Sequence, residues 1–313
     1  MKYILKKTGI MLLTLVLVSL LAFLAFQIIP GDPVSQLLGM DYTPERAESL
    51  RHELGLDRNV FARYGLWLVN FVRGDFGTSY TYSIPVSEVM SGKVGVTAAL
   101  SLLSWLLVIA VSIPMGVFLA RFEGRRVDRF FVAFNQVCMS IPPFFLGILF
   151  TYLFGLVLNL FVAGYFVPFS ESFWGAMGYL LFPALAIALP KAAMVIKLLR
   201  SSLLKQLKED YVRTAYSRGN SRWAVIRRHS FRNALLPVIT FIAMTLADIV
   251  AGSIIVEQVF AVPGLGRLLL SSISTRDFPV VQAIVVIIAF IVVFMNYLAD
   301  IVTQYIDPRV RLS

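Results

Sequence analysis

The sequence predicts an all-α polytopic membrane protein with six transmembrane helices. Its mean hydropathy is +0.79, and only 15% of its residues are charged, whereas charged residues make up about a quarter of soluble domains. Lipid offers the backbone no hydrogen-bond partner, so each apolar run that can cross a hydrocarbon core of about 30 Å is expected to be a helix. Six runs reach the roughly 20 residues required, over residues 8–29, 97–119, 134–161, 178–199, 235–256 and 279–304.

The first run follows MKYILKK and therefore shares one feature with secretory signal peptides. It is long, however, and lacks a clear small-x-small cleavage site, so a retained helix is the better interpretation. We expect residues 1–29 to form the N-terminus and transmembrane helix 1.

Residues 30–95 are expected to form a small external helical segment after helix 1. PERAESLRHELGLD has the mixed charges and leucine spacing of a short helix that begins at Thr43 or Pro44. VFARYGLWLVNFV is a second apolar-periodic piece, and the turn-prone RGDFGTSY follows it. The remaining residues, 96–313, are expected to form a five-helix core with a cytoplasmic loop at about 200–233.

Prolines inside the predicted spans are expected to kink helices at most, and they indicate no particular function. These prolines are Pro114, Pro142, Pro143, Pro183 and Pro190.

The distribution of lysine and arginine predicts the orientation. With the N-terminus in the cytoplasm, nineteen of these residues lie inside and eight outside, while Lys191 stays within a span. The positive-inside rule therefore predicts that both termini are cytoplasmic.

The strongly basic segment 209–237 reads EDYVRTAYSRGNSRWAVIRRHSFRNALLP. Apolar residues recur at helical spacing before and after Gly219, which can adopt the left-handed conformation that ends a helix, and Asn220 or Ser221 can cap the next helix. We therefore expect two short helices around a turn. Contact with anionic lipid would explain the charge but not the glycine and the capping residues. Nucleic-acid binding is disfavoured because the arginines are held at the bilayer without a recognition fold.

This segment is one of several motifs that follow one another in a family's order along nearly the whole chain. The others are PGDP at 30–33, LGLD at 54–57, GDFGTS at 74–79, PV at 85–86, VEQVFAVPGLGRLL at 256–269, RDFPVVQA at 276–283 and NYLADIVTQYIDPRVR at 296–311. As an ordered set they resemble the dipeptide/oligopeptide/nickel permease family of ABC importers.

The resemblance implies an ABC importer type I permease fold in the plasma (inner) membrane of a prokaryote. It also implies a second homologous permease, two cytoplasmic ABC ATPase subunits that carry ATP and Mg, an extracytoplasmic solute-binding protein and a peptide or related substrate. Nucleic acid is not among the implied partners, and this chain is expected to bind no cofactor itself. Nickel or a metal chelate is the alternative cargo.

The resemblance also suggests roles for individual residues. Arg213, Thr214, Ala215 and Gly219 occupy the places of the superfamily's coupling motif, which is written Glu-Ala-Ala followed by Gly, and the departure at the first two places is usual in this branch. A second departure is KVGVTAALS at 93–101, where the family commonly has an Arg, a Pro and a Thr-Leu pair. The implied ATPase-coupling residues are Tyr211, Val212, Arg213, Thr214, Ala215, Gly219, Trp223, Arg228, Asn233 and Pro237. The implied external gate or receptor contacts are Asp32, Glu257, Pro263, Gly264, Gly266, Arg276 and Asp277.

Lys191 and Asp248 are charged residues within spans, where a central charge costs about 2.5–3.5 kcal/mol on insertion scales. Three hypotheses remain open for them. They form a structural ion pair, Lys191 extends to the membrane interface instead, or the two residues line the path and meet the termini of a zwitterionic peptide.

Catalysis by this chain is not expected. It has no G-x-x-x-x-G-K-[ST] motif for nucleotide phosphates, and His52, His229 and Cys138 make no recognisable metal site. Two rival functions differ from the importer in class. An ion-coupled secondary transporter would use Lys191 and Asp248 and need no ATP, whereas a structural scaffold would tolerate Gly219→Trp.

Overall fold

The computed structural model describes residues 2–28, 34, 38, 43–53, 57 and 59–306. Within these ranges the chain is helical, and its one β-type pairing is an isolated antiparallel bridge between Thr78 and Pro85. The helices are α1 Lys2–Ile28, α2 Pro44–Glu53, α3 Val60–Val72, α4 Val86–Val89, α5 Lys93–Arg121, α6 Arg126–Ser140, α7 Pro143–Phe150, α8 Phe173–Gln206, α9 Asp210–Ser217, α10 Arg222–Val225, α11 Phe231–Val259, α12 Leu265–Ser274 and α13 Phe278–Ile306. Two π-helical segments, Thr151–Val157 and Ile226–Ser230, follow α7 and α10.

Five helical spans of the described chain are long and apolar enough to cross a membrane, and a bent pair of helices raises the number to six if it counts as one span. The five contain α1, α5, α8, α11 and α13, which confirms the predicted all-α polytopic class. Both predicted helices in the segment after α1 are also present, as α2 and α3.

The expectation of one helix over residues 134–161 is wrong. Helix α6 begins earlier, at Arg126, and the chain bends by 100° between α6 and α7. Ile141 and Pro142 have extended backbones, with ψ of 124° and 143°. Each precedes a proline, whose ring disfavours the helical conformation of the residue before it, and neither proline has an N–H to continue the helix. The Pro142–Pro143 pair therefore breaks the span, whereas Pro183 and Pro190 stay inside α8.

Helices α5, α8 and α11 form the centre of the bundle. Helix α5 buries several small residues in this bundle, including Ser104, Ser112 and Gly116. A Cβ on Gly116 would lie 2.8 Å from Leu199 Cδ2, so only glycine allows the two helices to come this close. Small residues at helix interfaces are typical of membrane bundles, in which close packing replaces the hydrophobic effect as the main attraction.

Helices α1 and α13 form an antiparallel pair beside this centre. The Phe26 and Phe278 ring centroids are 6.0 Å apart at one end, and Lys7 Nζ lies 2.6 Å from Asp300 Oδ2 at the other. We call these the Phe278 end and the Asp300 end of the bundle. Only 11% of the apolar stretch of helix α1 is buried, so the described residues cover little of this helix.

Candidate functional site

The basic segment begins with α9, which ends as predicted at Gly219. The glycine has a φ of 80°, in the left-handed region. Its N–H donates to Tyr216 O at 2.9 Å, and the N–H of Asn220 donates to Ala215 O at 3.4 Å. These two bonds form a Schellman cap, which glycine favours because it has no Cβ.

The second half of the segment differs from the prediction of a separate short helix. Ser221 caps α10 by accepting a hydrogen bond from Ala224 N, as expected. Helix α10 then continues through the π-helical segment into α11, so that Arg222–Val259 is one helix. The basic segment is thus a short helix, α9, followed by the first turns of a membrane-spanning helix.

Two apolar residues predicted to couple to an ATPase pack within this chain instead. Val212 and Ala215 are buried in a small cluster with Val225, and Leu207 at the end of α8 packs against it. The opposite side of α9 is open, since Tyr211 is 37% exposed and the side chain of Arg213 is 80% exposed. The other residues predicted to contact an ATPase are exposed, namely Thr214, Gly219, Trp223, Arg228, Asn233 and Pro237.

Polar contacts that the sequence analysis missed hold this segment to the rest of the bundle. Arg222 donates to Glu123 Oε2 at 2.8 Å and to the carbonyl oxygen of Ala120 at 3.1 Å. The guanidinium of Arg121 lies 5.2 Å from the centre of the Trp223 ring, within the range of a cation–π contact. These contacts join the start of α10 to the turn between α5 and α6.

A second missed contact lies nearby, between α6 and α8. Arg200 donates through Nε and Nη2 to both oxygens of Asp128, at 2.9 and 2.8 Å. Asp128 is 3% exposed. A two-bond Arg–carboxylate pair fixes orientation as well as distance, so it sets how α6 lies against α8.

The structure brings together the two charges within the spans. Lys191 Nζ lies 2.7 Å from Asp248 Oδ2. The lysine side chain is 22% exposed, whereas that of the aspartate is 62% exposed. The two residues therefore form an ion pair, and the aspartate lies on an open face of α11.

At the Phe278 end, Glu257 joins three helices. Its Oε1 accepts a hydrogen bond from Thr97 Oγ1 of α5 at 2.7 Å, and its Oε2 accepts one from Gly266 N of α12, also at 2.7 Å. Thr97 Oγ1 in turn accepts from Leu265 N at 2.8 Å. Glu257 and Thr97 thus cap the N-terminus of α12, whose unpaired N–H groups attract a carboxylate. We call Thr97, Glu257, Gly264 and Gly266 the Glu257 junction.

Both glycines of the junction are explained by close approach. A Cβ on Gly264 would overlap the Glu257 carboxylate and lie 2.6 Å from Thr97 Oγ1, and a Cβ on Gly266 would overlap the backbone of Ile254. The absence of a side chain at Gly264 and Gly266 therefore lets the start of α12 pack directly on α11.

Asp277 is also buried, with 0% exposure. Its carboxylate accepts hydrogen bonds from Ser79 Oγ at 2.5 Å, Tyr80 N at 3.0 Å and Thr81 N at 3.2 Å. It therefore anchors the loop between α3 and α4 to the start of α13.

Among the predicted external contacts, then, the side chains of Glu257 and Asp277 are enclosed and cannot touch a receptor in this conformation. Arg276 is exposed, and Pro263 lines a cleft of about 400 Å³ together with Tyr82, Lys93 and Arg267. Asp32 lies outside the described residues.

Two family models match the chain. The model of the binding-protein-dependent transport system inner membrane component covers residues 112–312, and the model of its N-terminal region covers residues 1–101. The chain belongs to this family. The resemblance stated from the motifs is thereby confirmed, and the family is an inner-membrane component that works with substrate-binding and ATPase subunits.

Relatives of this permease match over its whole length. It is 38% identical over 308 residues to a putative peptide transport system permease protein of Brucella abortus (strain 2308), covering 98% of each chain. It is 33% and 32% identical to the dipeptide transport system permease proteins DppB of Lactococcus lactis subsp. cremoris (strain MG1363) and Escherichia coli (strain K12), covering 99% of each chain.

A solved structure supports the importer fold. A chain of the inward-facing MetNI methionine ABC transporter matches the permease with a TM-score of 0.55 at 17% identity, covering 68% of the permease and 94% of that chain. At this identity the similarity shows the fold alone, and it agrees with the predicted ABC importer permease fold.

Proposed function

We propose that this permease forms half of the translocation path of an ATP-driven importer of di- or oligopeptides. The proposed substrate class rests on the relatives that match the chain over its full length. They are 32–38% identical and are described as peptide or dipeptide permeases.

The proposed assembly contains a second homologous permease, two cytoplasmic ABC ATPases that hold ATP and Mg, and an extracytoplasmic solute-binding protein. The exposed face of α11 supports a second permease. Pro237, Met244, Asp248, Ala251, Ile255 and Gln258 are exposed at alternating spacings of three and four residues, apart from one wider gap, so they share one side of the helix.

An open aspartate on that side argues against lipid as its neighbour. Charged side chains in membrane spans almost always face the bundle interior or a water-filled cavity, because acyl chains offer them no solvation. Asp248 is 62% exposed even though Lys191 pairs with it. We therefore propose that this side of α11 lines the path at the boundary with the second permease.

The arrangement of α9 supports a mechanism for coupling. Its buried face contacts Leu207 at the end of α8 and Val225 at the start of the α10–α11 helix. A movement of an ATPase seated on the exposed face would therefore be transmitted to two membrane-spanning helices together. Such rigid-body transmission can bias a transporter between inward and outward states.

The positive-inside distribution supports an orientation with both termini in the cytoplasm, so the Asp300 end is cytoplasmic and the Phe278 end extracytoplasmic. In this orientation the Glu257 junction belongs to an outer gate. Exposed Arg276 and the cleft beside Pro263 are then accessible to the solute-binding protein.

Uptake by the assembled system in proteoliposomes tests the proposal. With both permeases, the ATPases and the loaded binding protein present, labelled dipeptide should accumulate only when ATP is supplied. Gly219→Trp should assemble but lose most uptake, because a large side chain at this exposed position obstructs the ATPase surface. Gly219→Ala is the control, since it has similar backbone strain without the bulk, and it should retain uptake. Uphill accumulation by vesicles that contain only the two permeases would overturn ATP coupling.

A further inference from the structure

Helix α3 contacts α1 through the aromatic residues on one side of α3. The hydroxyl oxygen of Tyr64 lies 2.8 Å from Ser19 Oγ and 3.2 Å from the carbonyl oxygen of Val16. The Trp67 ring lies 5.7 Å from that of Phe23. Helix α3 is therefore attached to α1, although the sequence places it in the segment predicted to be external.

The contacted part of α1 lies at membrane depth. Val16, Ser19 and Phe23 fall inside the candidate span Ile4–Phe26. Measured from Phe26, which contacts Phe278, a rise of 1.5 Å per residue places Phe23 and Ser19 about 5 and 10 Å toward the centre of the span. Amphipathic helices that lie in a membrane surface are buried to about this depth of 5–10 Å.

A second side of α3 is polar and narrow. Arg63 and Asn70 are seven residues apart and so share one edge of the helix. The charge of Arg63 acts on the loop that Asp277 anchors: burial raises the pKa of the Tyr80 hydroxyl, Asp277 adds to this rise, and Arg63 opposes it.

The third side of α3 is apolar, and the residues that the structure describes leave it exposed. Phe61 is 72% exposed, Leu66 49%, Val69 48% and Val72 79%. At 100° per residue these side chains, with Ala62 and Gly65, occupy one continuous arc between the side that packs on α1 and the polar edge. On α1, Leu17 and Leu21 are similarly bare, at 50% and 66% exposed.

We propose that α3 lies in the membrane–water boundary of the leaflet at the Phe278 end, with lipid acyl chains covering the arc of Phe61, Leu66, Val69 and Val72. The depth of its contacts with α1 supports lipid as the occupant, and so does the continuity with the bare apolar surface of α1. The order of the three sides also fits, because the polar residues are confined to one edge of α3 while the apolar arc is exposed beside the side that packs on α1. The inference extends beyond the proposed function and does not depend on the cargo or on ATP.

Spin labels on α3 of the assembled transporter in lipid bilayers test this placement. Single cysteines replace Leu66, Val69 or Asn70 in a Cys138→Ala background and carry a nitroxide. Glu48→Cys, on the exposed side of α2, supplies an aqueous reference. Collision with oxygen, which concentrates in acyl chains, is compared with collision with a water-soluble nickel chelate.

Labels at Leu66 and Val69 should collide with oxygen severalfold more than with the chelate, and the label at Asn70 should show the reverse preference. Chelate-dominated collisions at all three positions would overturn the proposal, because the helix would then lie in water. Immobile labels at Leu66 and Val69 with little access to either reagent would also overturn it, because a protein subunit would then cover the arc. Neither outcome depends on transport activity.

Discussion

At the residue scale, the packing of the Glu257 junction requires that residue 264 has no side chain. The neighbours of Gly264 are the carboxylate of Glu257 and the hydroxyl of Thr97, and both lie within the space that a methyl group would need. Thr97, which belongs to the segment that departs from the family pattern, supplies both a donor and an acceptor there.

We predict that Gly264→Ala destabilises the permease by roughly 1–3 kcal/mol, the usual cost of forcing an extra carbon into a well-packed site. Thermal unfolding of the purified complex, with the midpoint read from intrinsic fluorescence, measures the effect. Gly252→Ala is the matched control, because a Cβ there meets nothing within 4 Å. Equal midpoints for the two variants would show that the close approach at Gly264 does not exist.

At the scale of single elements, some helix ends are set by local backbone geometry, and others depend on partners that lie far away in the chain. Gly219 ends α9 by local backbone geometry, and the Pro142–Pro143 pair breaks the third span in the same local way. The start of α12 differs, because its cap comes from α5 and α11.

We predict that Glu257→Ala loosens α12, since it leaves buried N–H groups of the first turn without an acceptor at a cost of about 1–3 kcal/mol. Hydrogen–deuterium exchange should be faster in Leu265–Ser274 than in the unmodified protein. Glu257→Gln keeps one acceptor oxygen and should have a smaller effect. Unchanged exchange in both variants would contradict a capping role.

At the scale of the whole molecule, three exposed surfaces of the described bundle differ in their chemistry: the outer side of α9, the Asp248 side of α11 and the apolar arc of α3. Each therefore suits a different neighbour. The open side of α11 is the one on which the Lys191–Asp248 pair lies.

If that side lines the path, Lys191→Met and Asp248→Asn should each lower dipeptide uptake by about tenfold, which corresponds to about 1.4 kcal/mol in the rate-limiting barrier. Assembly with the partner subunits should be unchanged. Lys197→Met changes an exposed lysine on the same helix and serves as the control. Normal uptake and substrate range in both variants would leave only a structural ion pair.

The sequence by itself determined the membrane class, most of the spans, the helices α2 and α3, and the glycine that ends α9. Hydropathy, helical spacing and glycine geometry are local properties, and they act the same way wherever the segment lies. Only the tertiary structure decided that Glu257 and Asp277 are enclosed, that Asp128 pairs with Arg200, and that α3 lies against α1.

These outcomes depend on residues far apart in the chain. The oxygen atoms of Glu257 are satisfied in part by Thr97, 160 positions earlier, and those of Asp277 by Ser79, 198 positions earlier. From the sequence alone, a carboxylate near the end of a span is expected to be exposed. It can be buried only if hydrogen-bond donors from elsewhere in the chain replace its water. For Glu257, the packing of α5, α11 and α12 determines which donors reach the carboxylate. The sequence pattern of a single segment cannot predict these donors.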